Sequence, residues 1–143
     1  LRYGSQYPDT QLRLFRNGKA KFPNQHVHEK LIVDGSIGKL SNDMFHYPYN
    51  NISQFLRKFN FYTGVEAVYL KDAGLEINFF NTLNYTLLKP VIRFFRRYIL
   101  KGGFRDGLPG LFCSLFDSLN YFVRYFKLWE MNKQNPENRK TEL

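Results

Sequence analysis

The stretch LEINFFNTLNYTLLKPVIRFFRRYILKGG, residues 75–103, decides the fold because its apolar and basic side chains recur at helical spacing. With about 3.6 residues per turn, the apolar ones share one side of a helix: Leu88, Val91, Ile92, Phe94, Phe95, Tyr98 and Ile99. The basic ones share the other side: Lys89, Arg93, Arg96, Arg97 and Lys101. Pro90 fits the first turn or a kink, and the pair Gly102 and Gly103 ends the helix. The stretch predicts a basic amphipathic helix.

A second amphipathic helix is predicted ahead of this stretch. Apolar residues from Ile52 to Tyr69 recur at helical spacing, with polar side chains between them. Either Asn50 or Asn51 can cap the first turn, since an asparagine side chain accepts a hydrogen bond from a free backbone N–H. The pattern therefore indicates a helix with a defined start.

The front of the chain, residues 1–48, has the pattern of loops and short strands. Within it, the segment LIVDGSIGKL, residues 31–40, has a β-branched run, then Asp34 and Gly35, then further apolar residues. An Asp-Gly pair suits the two-residue type I′ turn that joins hairpin strands. We therefore expect a β-hairpin over this segment.

The segment GLPGLFCSLFDSLNYFVRYFKLWEM, residues 107–131, has apolar side chains nearly all round a helix, interrupted by a few charged residues. A spanning helix needs about 20 mostly uncharged residues, and no uncharged apolar run here approaches that length. We interpret the segment as a helix at a membrane interface, with Trp129, the tyrosines and the basic side chains at headgroup level. The alternative is that its Phe and Leu side chains form a soluble core with the preceding helices.

The formal charge of +9 and the 18% aromatic content restrict the partners of this 143-residue chain. Basic chains attract nucleic acid, anionic lipid headgroups or anionic small substrates such as nucleotide sugars. A nucleic-acid surface needs aromatic side chains exposed beside basic ones, whereas the helical wheel separates Phe94, Phe95 and Tyr98 from the arginines. The pattern favours an anionic membrane surface, and no nucleic acid.

The single cysteine, Cys113, excludes an internal disulfide framework and fits a reducing compartment.

The patterns divide the chain into three parts. Residues 1–72 hold the strands, the hairpin and one helix, residues 73–131 hold the membrane-interface helices, and residues 132–143 form a polar tail expected to be disordered. The chain opens at Leu1 with no Gly-rich phosphate loop and no alternation of strands and helices. We expect it to be the C-terminal portion of a longer protein.

Ionisable side chains are dense in RLFRNGKAKFPNQHVHEK, residues 13–30. Glu29 lies between His28 and Lys30, and a carboxylate at the mouth of a cleft can take a proton from a sugar hydroxyl as a general base. The alternative is a surface glutamate that pairs with Lys30 or Arg16. Spacing alone favours the surface glutamate.

Histidines and arginines of the front segment suggest ligand contacts. His26 and His28 would share one face of a strand, but no third ligand close by completes a zinc pattern. A single histidine supplied to a metal held mainly elsewhere is the interpretation we favour. Arg13 and Arg16 can reach one phosphate group if the segment turns, or they are two solvated charges beside Leu14 and Phe15.

The order of these pieces resembles the C-terminal half of bacterial family 2 glycosyltransferases of the lipopolysaccharide-core, glucosyltransferase-like type. The resemblance covers about residues 7–130 and rests on YPDTQLRLFRNGKAKF, VHEKLIVDGSIGKL, FHYPYNNISQFLRKFNFYT, GGFRDGLPGLF and YFKLWE, in that order. Several ordered motifs make the resemblance specific for the family and not for the sugar.

The resemblance implies an α/β fold, the C-terminal part of a GT-A glycosyltransferase, with short strands and a β-hairpin followed by amphipathic membrane-associated helices. It implies inverting transfer from a nucleotide-sugar donor to a glycolipid acceptor at the cytoplasmic face of the bacterial inner membrane. The acid of the His-Glu motif is the general base, which maps onto Glu29 beside the substrate-binding His28. The Arg-Leu-Phe-Arg motif maps onto Arg13 and Arg16, and the histidine of FHY maps onto His46, a contact for the diphosphate or its metal.

The sequence departs from the family pattern in its acidic residues. Neither Asp43 nor Asp72 belongs to an Asp-x-Asp motif, which holds the donor metal in this family. We expect the full-length enzyme to use Mg²⁺ or Mn²⁺, and this chain alone to hold no metal and to be inactive. The rival interpretation is a non-catalytic module whose basic surface docks it on anionic lipid.

Overall fold

The structure, a computed structural model, describes residues 1–4, 7, 10–12, 14–21, 31–42 and 49–134 of the chain. The chain divides into two compact units, one formed by Leu1–Asp9 with Asn51–Leu143, and the other by Thr10–Asn50. The first unit contains all the described helices and the second a small sheet. The described residues are mostly helical, so strands contribute less than an α/β fold implies.

The sheet of the second unit consists of two short antiparallel strands. Strand β1, Ala20–Lys21, pairs with β2, Ile32–Val33, so that Ala20 lies opposite Val33. The backbone N–H of Asp34 donates to the carbonyl of Lys19 at 2.9 Å and extends this pairing by one residue. The Lys19 ammonium also lies 2.7 Å from the Asp34 carboxylate. This ion pair is exposed to solvent and adds little to stability.

The prediction of a β-hairpin over residues 31–40 is wrong. Ile37 and Leu40 lie in no strand and are exposed, and β2 pairs with a strand upstream of it instead. Gly35 has a φ of 131°, away from the value of about +90° that the second central residue of a type I′ turn adopts. The backbone bond between Asp34 and Lys19 belongs to the pairing of β2 with β1.

Helix α1, Ile52–Asp72, begins at the asparagine cap that the sequence predicts. The Asn51 side chain accepts a hydrogen bond from the backbone N–H of Gln54 at 2.8 Å, which satisfies one of the free donors of the first turn. The buried side of the helix carries Thr63 and Ala67. The sequence-based division groups this helix with the strands, whereas its phenylalanines pack on the last helix of the helical unit.

The basic helix predicted from residues 75–103 extends over 79–100 and contains two wide turns. Its segments are α2 (Phe79–Leu83), a π-helical turn (Asn84–Leu88), α3 (Lys89–Phe95) and a second π-helical turn (Arg96–Leu100). We call this continuous stretch the 79–100 helix. Asn78 caps it by accepting from the backbone N–H of Asn81 at 2.9 Å. Pro90 lies at the start of α3, as predicted. Each π-helical turn adds backbone to one turn of the helix and so rotates the residues that follow it away from a regular helical wheel.

Helix α4, Gly107–Gln134, packs against α1 through an aromatic cluster. The Phe55 ring meets the Phe112 and Phe116 rings edge to face, with ring centroids 5.0 and 5.2 Å apart. Tyr125 and Leu128 are buried further along the same helix. The Phe and Leu side chains on this side of α4 therefore form part of the core of the helical unit.

The other side of α4 remains exposed and apolar. Its exposed side chains are Leu108, Leu111, Leu115, Phe122, Phe126 and Trp129. Among the helices that the structure describes, none has the length and apolar character needed to cross a bilayer. Helix α4 runs to Gln134, three residues into the predicted tail, and residues 135–143 of that tail lie outside the described residues.

A glycine-rich turn joins the 79–100 helix to α4, as the sequence predicts. Gly102 adopts a left-handed φ of 67°, and a short 3₁₀ turn follows at Gly103–Asp106. A Cβ atom on Gly103 would lie 2.9 Å from the Arg97 carbonyl oxygen, and one on Gly110 would lie 2.0 Å from the Gly103 carbonyl oxygen. Only glycine allows the backbone of the turn to lie this close to α4.

Candidate functional site

Most of the residues predicted to act in catalysis, substrate binding or metal binding lie outside the described residues. These are Glu29, Arg13, His28 and His46, together with His26. Their catalytic, substrate-binding and metal-binding roles stay predictions. Arg16 is described and is exposed, in the turn that leads to β1. Its backbone carbonyl accepts a hydrogen bond from the Lys19 N–H at 3.0 Å.

Two of the arginines predicted for the membrane face lie instead at the contact with α4. Arg97 is 2.9 Å from the Asp117 carboxylate, and Arg93 donates to the same carboxylate through its Nε. The Arg97 side chain is only 14% exposed and that of Asp117 24%. The helical wheel places Arg97 on a free basic face, and this placement is corrected to an ion pair within the fold. Membrane binding by Arg97 stays a prediction. The difference arises because the side of the helix that carries Arg93 and Arg97, four residues apart, faces Asp117 of α4.

The electrostatics of this cluster favour a charged carboxylate. Burial alone would raise the pKa of Asp117, but hydrogen bonds from Arg93 and Arg97 outweigh it and hold the pKa below its ordinary value. The hydrogen bond to Asp117 correspondingly raises the pKa of Arg93. The cluster therefore remains ionised at neutral pH and fixes the 79–100 helix on α4.

The other predicted membrane-binding residues remain at the surface. Arg96 and Lys101 are exposed, and the Lys89 ammonium lies 3.5 Å from the centroid of the Tyr85 ring. Trp129 is exposed on α4, with the Lys133 ammonium 4.6 Å from its ring centroid. Tyr85 is buried, whereas the exposed pair of Trp129 and Lys133 suits the headgroup region of a bilayer. The membrane role of these residues stays a prediction.

The apolar side of the 79–100 helix is exposed rather than buried. Ile92 is 64% exposed and Leu100 78%, and Val91, Phe95 and Ile99 are also exposed. Residues 92, 95 and 99 follow one another at helical spacing, so they share one side of the helix. A large exposed apolar surface marks a contact with another protein or with a membrane.

A second polar cluster joins α1, the 79–100 helix and α4. Glu66 lies 3.2 Å from Arg124, whose guanidinium lies 4.0 Å from the centroid of the Tyr121 ring. The Tyr125 ring stacks on Tyr85 at 5.2 Å. Sequence reasoning missed this cluster, although one signal was available. Arg124, like Asp117, is a charged residue inside an otherwise apolar helix, and such residues need a partner.

An open cleft of about 480 Å³ lies at the glycine turn. Its lining residues are Tyr3, Ile99, Leu100, Lys101, Gly102, Phe104 and Arg105. The segment that carries Tyr3 is held there because the backbone N–H groups of Arg2 and Tyr3 donate to the Asp106 carboxylate, with Tyr3 at 2.9 Å. Sequence reasoning treated the residues of this turn as a family motif and did not predict a cleft.

No metal centre forms among the residues that the structure describes. In that part of the chain, no three His, Cys, Asp or Glu side chains come close enough to hold an ion. The donor set expected for Mg²⁺ or Mn²⁺, carboxylate oxygens, is thus not assembled by the described residues. His46 lies outside them, and its contact with a metal stays a prediction.

Comparison with known proteins links the chain to glycosyltransferases. No protein-family profile and no solved structure matches it. The chain is 26% identical over 121 residues to the lipopolysaccharide core biosynthesis glycosyltransferase LpsC of Rhizobium meliloti (strain 1021), a match over 83% of this chain and 43% of that protein. The chain thus spans less than half the length of this curated relative. The similarity supports a relationship to glycosyltransferases at this general level.

Proposed function

We propose that the chain is part of a family 2 glycosyltransferase with a GT-A fold, which transfers a sugar from a nucleotide-sugar donor to a membrane glycolipid. The observation that carries this proposal is the similarity to LpsC, which extends over 83% of the chain. By its name, that relative acts in the biosynthesis of the lipopolysaccharide core. The product is accordingly lipopolysaccharide or a related cell-surface glycan.

The proposed reaction is an inverting substitution at the anomeric carbon of the donor sugar. The hydroxyl oxygen of the acceptor bonds to that carbon, the bond to the diphosphate breaks, and Glu29 takes the hydroxyl proton. Arg13, Arg16, His28 and His46 bind the substrates. His46 would be one contact to Mg²⁺ or Mn²⁺ in the full-length enzyme, and the ion would supply charge stabilisation for the diphosphate.

The proposed acceptor fits a protein that lies on the cytoplasmic face of the bacterial inner membrane. Support comes from the exposed apolar sides of the 79–100 helix and α4, together with the exposed Arg96, Lys101 and Trp129. Apolar side chains enter the headgroup boundary and basic ones attract anionic lipid. The enzyme would therefore meet its acceptor in the plane of the membrane.

A transfer assay with the full-length protein tests the function. Each common nucleotide sugar, labelled in its sugar, is incubated with the protein, Mg²⁺ or Mn²⁺, and bacterial membrane lipid. The proposal expects one donor to pass its label into the lipid fraction. Failure of every donor to label lipid would contradict it.

The exposed apolar and basic side chains of the helical unit also favour a second candidate, a non-catalytic module that binds anionic membranes. This candidate shares the membrane contact and lacks the reaction. Vesicle binding by the full-length protein without transfer from any donor would support the module and contradict the enzyme.

A further inference from the structure

We propose that the cleft at the glycine turn binds the phosphate group of an anionic membrane lipid. This inference rests on the membrane association proposed above and adds to it a defined headgroup site. Its basic groups are Lys101 and Arg105, its aromatic walls are Tyr3 and Phe104, and Leu100 forms an apolar margin.

The positive charge of the cleft is not neutralised by its surroundings. Within the described part of the chain, neither Lys101 nor Arg105 forms an ion pair. The neighbouring carboxylate of Asp106 accepts hydrogen bonds from the backbone N–H groups of Arg2 and Tyr3 instead. Lys101 and Arg105 both line one concave site, and a lysine with an arginine suits a phosphate group, which accepts several charge-assisted hydrogen bonds.

The site is built on backbone that its own contacts hold in place. The Gly4 N–H donates to the Lys101 carbonyl at 2.9 Å, and the Arg105 N–H donates to the Gly102 carbonyl at 2.9 Å. The Arg105 guanidinium lies 5.3 Å from the centroid of the Tyr3 ring, a cation–π contact between two lining residues of the cleft. Less ordering is therefore needed when a ligand binds.

The apolar neighbours of the cleft identify a lipid rather than a free anion as the ligand. Ile99 and Leu100 line the cleft and are exposed. From Ile99 the exposed apolar side of the 79–100 helix continues through Phe95 to Ile92. A phosphate bound by Lys101 and Arg105 would thus have apolar surface beside it for acyl chains, which a nucleotide or an inorganic phosphate would not use.

Vesicle co-sedimentation of the full-length protein tests the inference. The vesicles contain phosphatidylcholine alone or phosphatidylcholine with a fixed fraction of phosphatidylglycerol. The cleft variant is Lys101→Gln with Arg105→Gln, and the matched control is Lys71→Gln with Arg57→Gln, which removes one lysine and one arginine from exposed positions of α1. Both variants lose the same charge, so they differ only in where it is lost.

The cleft variant should bind anionic vesicles about 30-fold more weakly than the wild type, which corresponds to about 1 kcal/mol for each of two basic side chains at the surface. The control should lose much less. The exchange Lys101→Arg with Arg105→Lys keeps the charge of the cleft and should retain most of the binding. This exchange also separates a lost site from a lost fold.

Each of the other outcomes would overturn the cleft, membrane association or the lipid assignment. Equal losses in the cleft variant and the control would overturn the cleft and leave membrane association standing. No binding of the wild type to anionic vesicles would overturn both, without bearing on sugar transfer. Displacement from vesicles by inorganic phosphate, at an ionic strength held constant with chloride, would show a site for free phosphate and overturn the lipid assignment.

Discussion

Asp117 shows how far a single residue can change the meaning of a sequence pattern. The pattern of residues 75–103 predicts a free basic face, but Asp117 of α4 binds two of its arginines. A helical wheel considers one helix by itself, and so it cannot include a partner 20 residues further along the chain. The Asn51 cap was predictable because donor and acceptor are three residues apart.

Replacement of Asp117 by asparagine should destabilise the helical unit by about 1–3 kcal/mol, because Arg97 would be left mostly buried without its counter-ion. Urea unfolding followed by helical circular dichroism measures the change. Asp72→Asn at the exposed end of α1 is the matched control and should have little effect. Equal stability of the two variants would show that the Asp117 cluster does not hold the helices together.

The same cluster predicts a dependence of stability on pH. The pKa of Asp117 is lower in the folded protein than its ordinary value of 3.8, so the unfolded chain takes up the proton first as the pH falls. Its stabilisation is complete above that ordinary value and is lost as the pH falls through the lower, folded value. The difference in unfolding free energy between wild type and Asp117→Asn should therefore shrink below about pH 4. A difference that grew with acid would contradict the assignment.

At the scale of elements, the sequence predicts helices and their ends correctly, but it does not predict which strands pair. Helix α1, its start and the glycine end of the 79–100 helix follow from spacing and caps within a few residues. The hairpin prediction failed because a short strand specifies its partner weakly, and β2 pairs with the upstream strand β1. The π-helical turns carry no clear sequence signal, and the helical wheel does not indicate that Arg93 and Arg97 face α4.

Gly110 offers a test of the close contact between the glycine turn and α4. Gly110→Ala should destabilise the helical unit by about 1–3 kcal/mol, because the new Cβ would overlap the Gly103 carbonyl oxygen at 2.0 Å. The matched control is Gly64→Ala in α1, where the nearest atom outside the helix, the Lys127 Nζ, would be 3.7 Å from the Cβ. There the gain in helix propensity should stabilise by up to about 1 kcal/mol. Thermal unfolding of both variants measures these changes in stability. Changes of the same sign in the two variants would contradict the close contact at Gly110.

At the scale of the whole molecule, we propose that the front of the chain carries catalysis and that the helical unit contacts the membrane. The candidate catalytic residues fall in the front segment, and most of them lie outside the described residues. The membrane contact falls in the helical unit, whose exposed apolar sides were not evident from composition. Sequence alone indicates which side chains are apolar, whereas their exposure depends on how the helices pack.

The membrane contact predicts a particular response to salt. Electrostatic attraction weakens at high salt, since the Debye length falls to about 3 Å at 1 M, whereas apolar insertion persists. Binding to anionic vesicles should therefore be weakened but not abolished, and Trp129 fluorescence should shift to shorter wavelength on binding at either salt concentration. Complete release by salt would contradict insertion of the apolar sides.

The central claim is sugar transfer with Glu29 as the general base, and turnover of Glu29→Gln in the full-length enzyme tests it most directly. Loss of a positioned base should lower turnover by about two to four orders of magnitude with the fold intact. Glu76→Gln, at an exposed glutamate of the helical unit, is the matched control and should keep wild-type turnover. Turnover of Glu29→Gln close to that of the control would contradict the claim.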